Sequence, residues 1–338
     1  MYSKIGHHIQ TMEQKNNPKL SIVVTARNDN YGGNLENRIK TFFRVIAFEA
    51  NKHELQTEVV FVEYNPPADK LLFADSLNIE TNQYLTIKYI IVPNSFHQRI
   101  NTSSKIPLLE YVAKNIGTKR AQGEYILVTN PDILFPGELF EFINSNRINK
   151  DHYYRVDRND IWTSYFDENM PVEQILETAK KNVYVQWVND GVRYKSWKAW
   201  FSRFIHSRNK KSLLMCPIFN KYHDSKRNKE LIHDKAAGDF ILMHRDNWNK
   251  VGGFDETPHN MYLDSYIIYV LTCFNLQQTI LSCPIYHIQH DMGRAGRPGV
   301  AYEKFKSDAE QMLKTKIPYR QPDPDWGFIN EDFRLINH

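Results

Sequence analysis

The residues best placed to do chemistry lie around Asp132, in residues 121–135, AQGEYILVTNPDILF. A turn at Gly123 leads into the apolar run Tyr125, Ile126, Leu127, Val128 and Thr129. That run breaks at Asn130-Pro131-Asp132 and resumes at Ile133. A buried strand ending in a carboxylate delivers it to the sheet edge where α/β folds bind ligands. There Asp132 would hold a divalent metal and, through it, a diphosphate. Asn, Pro and Asp equally favour a plain turn, so this stretch alone leaves both readings open.

A second marker is residues 238–256, GDFILMHRDNWNKVGGFDE. Its apolar run, Phe240 to Met243, ends at His244-Arg245, and a short helix carrying Trp248 and Val251 follows. Gly252-Gly253 breaks that helix. Asp239 stands just before the apolar run, at a strand start. Asp264 opens a helical stretch over residues 264–274, where an Asp serves well as N-cap. Near the end of the regular pattern, residues 286–290 read YHIQH and set His287 and His290 at i and i+3.

The elements that must position these residues follow from apolar patterning. Residues 20–25 (LSIVVT), 58–64 (EVVFVEY) and 85–92 (LTIKYIIV) are short apolar runs, expected to be buried parallel strands. Leu35, Ile39, Phe42, Phe43 and Ile46 recur at helical spacing, and a further helix is expected over about residues 107–120. Strand and helix alternate to about residue 135, which predicts an α/β fold with a mostly parallel, helix-covered sheet. The first strand–helix turn holds no GxGxxG and no P-loop, against the ordinary NAD and ATP folds. Residues 150–230 are rich in Tyr, Trp and basic residues with little strand alternation. A last helix is expected over residues 302–314, before a Pro-rich aromatic tail.

Composition narrows the class. The 338 residues are 41% hydrophobic and 24% charged, ordinary for a globular protein. Lys+Arg 43 against Asp+Glu 39 leaves +4, too mild to imply a nucleic-acid binder. Cys216, Cys273 and Cys283 form no CxxC pair and no metal spacing. No apolar run approaches the 18 or so residues of a membrane span, and residues 1–18 read as a polar, flexible lead-in. A cytoplasmic protein is the expectation.

Five segments, SIVVTARND, VVFVEYNPP, KNIGTKRAQGEYILVTNPD, GDFILMHRDNWNKVGGFDE and YLDS, stand in one order over residues 19–290. In that order the chain resembles the GT-A-fold glycosyltransferases of the broad family 2 type. The usual DxD appears as Asn130-Pro131-Asp132, and the usual Glu-Asp pair as Leu263-Asp264, so each keeps one acid. The resemblance implies a GT-A catalytic domain over residues 19–290. Its nucleotide-binding half covers about 19–135, its variable acceptor region about 150–230, and its acceptor half about 231–290. A C-terminal extension follows over 291–338.

The implied activity is transfer of a sugar from a nucleotide-diphosphate sugar, UDP-sugar favoured, to a glycan, lipid-linked or protein acceptor. Such transfer needs the diphosphate leaving group neutralised, usually by Mn²⁺ or Mg²⁺. Asp132 is the implied metal ligand, with His287 and His290 completing the shell and Asn130 meeting donor ribose or a metal-bound water. By the same resemblance Thr25, Ala26 and Arg27 form the first donor-binding loop and Glu63 meets the base. Asn115 and Arg120 would face the donor. Inverting transfer needs a base for the attacking hydroxyl; Asp264 matches the second acid of the family's pair, and Asp239 is the second choice. Trp197, Trp200, Phe201, Phe204 and Ile205 share one helical face among basic residues. Segment 193–211 would therefore rest on an anionic membrane or pack on the core, while Tyr184, Trp187 and Tyr194 would wall a sugar site. The competing reading is a non-catalytic GT-A-like module that binds a sugar nucleotide or glycan as a partner subunit.

Overall fold

Short runs of Val, Ile, Leu and Phe without polar interruption become strands when helices cover both their faces. In the computed structural model, which describes residues 17–101, 105–145, 147–195, 197–198, 200–201, 231–291 and 299–338, this holds for β1 (Leu20–Ala26), β2 (Thr57–Tyr64), β3 (Leu85–Val92) and β4 (Tyr125–Val128). They lie parallel in the order β3-β2-β1-β4, with Ile22 level with both Val59 and Leu127. The connecting helices are α1 (Leu35–Lys52), α2 (Phe73–Ser76), α3 (Asn94–Ile100) and α4 (Glu110–Arg120).

Beyond β4 the sheet turns mixed. After β5 (Ile133–Leu134) and α5 (Gly137–Asn144) comes β6 (His152–Ile161), then α6 (Val172–Lys181) and the hairpin β7 (Val183–Val188) and β8 (Gly191–Tyr194). A 3₁₀ turn at Ala237–Asp239 leads into β9 (Ile241–His244) and α7 (Arg245–Val251). Then come α8 (Leu263–Cys273), β10 (Gln277–Ile288), α9 (Gly299–Thr315) and β11 (Arg334–Asn337). The full order is β11-β3-β2-β1-β4-β9-β6-β10-β5, so the expected α/β sheet extends through nine strands, with the β7–β8 hairpin branching from β6. Among its described residues, the region read as showing little strand alternation contains three strands. The charges of β6 (HYYRVDRNDI) hid its alternation, because Arg158 is held against Asp160 and Asp239, and Arg155 is buried against backbone carbonyls.

Two apolar layers sandwich the sheet. Leu20, Ile22 and Val24 pack with Ile39, Phe42 and Phe43 of α1, while Val23 and Val62 pack with Val112 and Ile116 of α4. The C-terminal stretch closes the second layer and returns to the sheet. Trp326 is buried against Gly253, with Lys119 Nζ 4.7 Å above its ring, and β11 pairs antiparallel with the edge strand β3. Of segment 193–211, residues 196, 199 and 202–211 lie outside the described residues. Trp200 is buried, whereas Trp197 and Phe201 are exposed and stack with each other at 5.8 Å. Among the described residues no helix is long and apolar enough to cross a membrane.

Trp326 should behave as a core residue of the folded unit. Trp326→Ala is expected to lower unfolding free energy by about 3–5 kcal/mol, read from urea denaturation.

Candidate functional site

The chain leaves β4 at Val128 and turns sharply, Ile133 N–H bonding to the Asn130 carbonyl at 3.3 Å. It then enters β5, which pairs antiparallel with the end of β10 in the register His287↔Ile133. The Asp132 carbonyl accepts the Ile288 N–H at 3.0 Å. Two strands remote in sequence thus meet where one carries an acid and the other ends in HIQH. The register itself brings Asp132 to His287.

Their side chains converge. His290 Nε2 is 3.2 Å and His287 Nε2 is 3.8 Å from Asp132 Oδ2, and the two Nε2 atoms are 3.3 Å apart. The point equidistant from these three atoms, at the circumradius of their triangle, lies about 2.0 Å from each, the usual metal–ligand distance for His and Asp. Tautomers fit as well. His287 Nδ1 faces Asp160 Oδ1 at 3.3 Å, and His290 Nδ1 faces the Asp291 carbonyl at 3.1 Å. A neutral imidazole with an acceptor at Nδ1 keeps its proton there and offers Nε2 as a lone pair. Three lone pairs then face one another, which only a cation or added protons make tolerable. Asp132 Oδ1 is also buried with no hydrogen-bond partner. The donor set therefore fits a divalent metal.

Asp132 is 7% exposed, and its charge needs support even without an ion. Burial pushes its carboxyl up, but the His290 hydrogen bond and the charges of His287, His290 and Arg38 outweigh that. The carboxyl is held well below the usual range. Arg38, buried on α1, donates to Asp132 Oδ2 at 2.9 Å and to the carbonyls of Tyr31 and Gly33. It thereby ties the loop after β1 to the site. Gly32 in that loop has φ +72°, and a Cβ there would lie 2.6 Å from His290 Nδ1. Only glycine lets this loop close on His290.

A second group of charges supports the first. Asp160, on β6, receives the Trp187 indole N–H at 2.8 Å and lies 2.9 Å from Arg158 Nε. Burial pushes its carboxyl up, yet the Arg158 charge and the His287 contact bring it down to about 2. Arg158 also bonds Asp239 Oδ2 at 2.5 Å and lies 5.2 Å from the Trp187 ring. Asn130 occupies the other Asp239 oxygen at 2.8 Å. Asp264, half-buried in the first turn of α8, accepts the Gly238 N–H at 3.0 Å, so it caps the 3₁₀ turn rather than its own helix, whose N-cap is Tyr262. Buried Lys114 donates to the Gly238 carbonyl at 2.9 Å. Asp239 and Asp264 thus share one corner, joined to Asp132 through Asn130.

Patterning did not single out Arg38, Arg158 or Asp160. Arg38 left a signal: it falls on the apolar stripe Leu35, Ile39, Phe42 of α1, and an Arg there must be buried against an acid. Asp160 and Arg158 become visible only once β6 is recognised as a strand.

The donor-side residues separate. Thr25 is buried with its hydroxyl on the Val62 carbonyl, and Ala26 is level with Glu63. Arg27 is half-buried and bridges the Asn65 carbonyl and Asp29. Glu63 is wholly buried. Its Oε2 accepts the Phe73 N–H at 2.7 Å, and burial pushes its carboxyl up to about 7. Asn115 and Arg120 are not at the site. Asn115 is spent on the Phe254 backbone and Glu256, and Arg120 on the carbonyls of Gly327, Phe328 and Glu331. The reason is direction: α4 runs back from the ligand edge, so Arg120 ends beside Lys88 and Glu58 at the opposite edge.

Neither a protein-family model nor a curated protein matches this chain in sequence. Among solved structures, residues 1–349 of TarS from S. aureus match at TM-score 0.45 and 11% identity, covering 91% of this chain and 68% of that one. The same TarS fragment in complex with UDP-GlcNAc gives 0.44 and 12%, over 91% and 69%. The catalytic domain of Drosophila β1,4-galactosyltransferase 7, in complex with xylobiose, gives 0.38 and 9%, over 86% and 79%. At these identities no residue role passes from one chain to the other.

Two outcomes follow from the buried carboxylates. Asp160→Asn should weaken Mn²⁺ binding about 10- to 100-fold, measured by electron paramagnetic resonance of free Mn²⁺, with the far-UV circular dichroism unchanged. Glu63 binds its proton more tightly folded than unfolded, so its contribution is full below about pH 4.5 and is lost as pH rises to about 7. Glu63→Gln removes that slope. Its stability relative to wild type should rise by about 2 kcal/mol from pH 5 to pH 8 in urea titrations.

Proposed function

We propose that this chain is a metal-dependent glycosyltransferase of GT-A type that moves a sugar from a nucleotide-diphosphate sugar to an acceptor hydroxyl. The observation that carries this reading is the convergence of Asp132, His287 and His290, with ligand atoms all within 4.8 Å of one another, at the carboxyl edge of an α/β sheet. The ordered sequence segments around those residues supply the reaction class. UDP-sugar is favoured as donor by the resemblance, and the acceptor is a glycan, a lipid-linked sugar or a protein.

Asp132, His287 and His290 would hold Mn²⁺ or Mg²⁺, and two imidazoles in the set favour Mn²⁺, since Mg²⁺ prefers oxygen ligands and water. When bound, the ion supplies neutralisation of the leaving diphosphate. The protein's own residues do the rest. Arg38 adds a fixed positive charge behind Asp132 and holds the β1 loop against His290. Asp160 sits 3.3 Å from His287 Nδ1, where its charge favours the tautomer that presents Nε2.

Asp264 is the base in this reading, and the transfer inverts. Both Asp239 oxygens are already taken by Arg158 and Asn130, which makes Asp239 the poorer acceptor of a proton. Asp239 instead fixes the turn that presents Gly238 to Asp264.

The test is a panel of UDP-, GDP- and dTDP-sugars, with and without Mn²⁺. Wild type should hydrolyse one donor slowly in a Mn²⁺-dependent way, and Asp132→Asn should lose that activity. Asp264→Asn should keep donor affinity while transfer falls about 10²- to 10⁴-fold. No binding of any donor, with or without metal, would sink the proposal. Binding of UDP that ignores both Mn²⁺ and Asp132 would favour a non-catalytic binding module.

A further inference from the structure

Trp162 follows β6 directly and is 46% exposed, although an indole is among the costliest side chains to leave in water. Its inner face stacks on Tyr184, with centroids 4.1 Å apart and planes at 22°. Tyr184 is buried, and its hydroxyl donates to Gln289 Oε1 at 2.6 Å. Gln289 in turn donates its backbone N–H to the Thr163 carbonyl at 3.1 Å. Trp162 N–H is itself bonded to the Asn182 carbonyl at 3.0 Å. The exposed indole is therefore braced from behind and tied to Gln289, the neighbour of His290.

Its place in the sheet separates it from the donor end. In the order β2-β1-β4-β9-β6, three strand steps part β1 from β6, about 14 Å at the usual strand spacing. In the glycosyltransferase reading a nucleoside lies at the ends of β1 and β2, which leaves Trp162 clear of it, beside the histidine end of the site, where an acceptor would enter. The stretch that follows is mostly polar, with Thr163, exposed Ser164, Asp167, Glu168 and Asn169, and it carries one further exposed ring, Tyr165. Exposed flat rings set among polar residues suit a sugar, which has one apolar C–H face and a hydroxylated rim. A lipid chain would need a continuous apolar strip.

We propose that Trp162, braced by Tyr184, is a stacking platform for a saccharide acceptor. This rests on the glycosyltransferase reading of the neighbouring site and narrows its acceptor to a glycan. The platform is rigid before binding, so stacking costs little ordering.

The experiment compares full-length wild type, Trp162→Ala and Trp162→Phe in Mn²⁺. Cellobiose, N,N′-diacetylchitobiose and lactose are titrated by tryptophan fluorescence and saturation-transfer NMR, and UDP by calorimetry. The expected result is binding of at least one disaccharide that weakens about tenfold or more in Trp162→Ala and is partly restored in Trp162→Phe. UDP affinity should be the same in all three. Equal disaccharide affinity in wild type and Trp162→Ala overturns the proposal, as does UDP binding with no disaccharide binding. Uridine, rather than a sugar, perturbing Trp162 overturns it too. Failure of wild type to bind UDP is a different result: it removes the reading of the site and the platform with it.

Discussion

A carboxylate withdrawn from water must be met by positive charge, and the arrangement around Asp132 follows from that requirement. Arg38 answers it from α1, and in doing so fixes the loop that follows β1. His287 and His290 answer it from the end of β10, and His290 accepts the approach of that same loop because residue 32 is glycine. One buried charge thus joins the first crossover of the fold to its last long strand. Protonated, the two imidazoles neutralise Asp132; neutral, they turn their Nε2 lone pairs toward it, and that donor set fits a divalent metal.

The charged strand β6 extends the same logic on both faces of the sheet. Side chains alternate along a strand, so Arg155 and Arg158 point opposite ways. Arg155 gathers the carbonyls of His233, Lys235 and Ala237, while Arg158 takes the carboxylates of Asp160 and Asp239. The turn at Ala237–Asp239 is therefore held from β6, from α4 through Lys114 and from α8 through Asp264. That shared anchorage places two acids, 25 residues apart in sequence, in one corner beside Asn130.

Stability on the opposite edge is organised separately. Asn115, Arg120 and Trp326 bind the GGFDE turn and the C-terminal stretch to α4, with Arg120 donating to four backbone carbonyls, three of them in that stretch. Direction along α4 thus turns these residues toward the C-terminal stretch and away from Asp132.

The sequence by itself determined the α/β class, the first four strands and the place of Asp132 at a strand end, because apolar period and strand-end position are local properties. It also named His287, His290, Asp239 and Asp264 through a family resemblance, but not how they meet. Only the tertiary structure decided that Asp132 and the histidines converge, since that depends on the antiparallel register of β5 on β10. Only it decided that Arg120 faces away, since periodicity gives a helix without saying which sheet edge its last turn reaches. Charges hid β6 from the pattern, and with it Arg158 and Asp160. Hydrophobic patterning reads burial through apolar residues, so it is blind wherever the chain buries charge against charge.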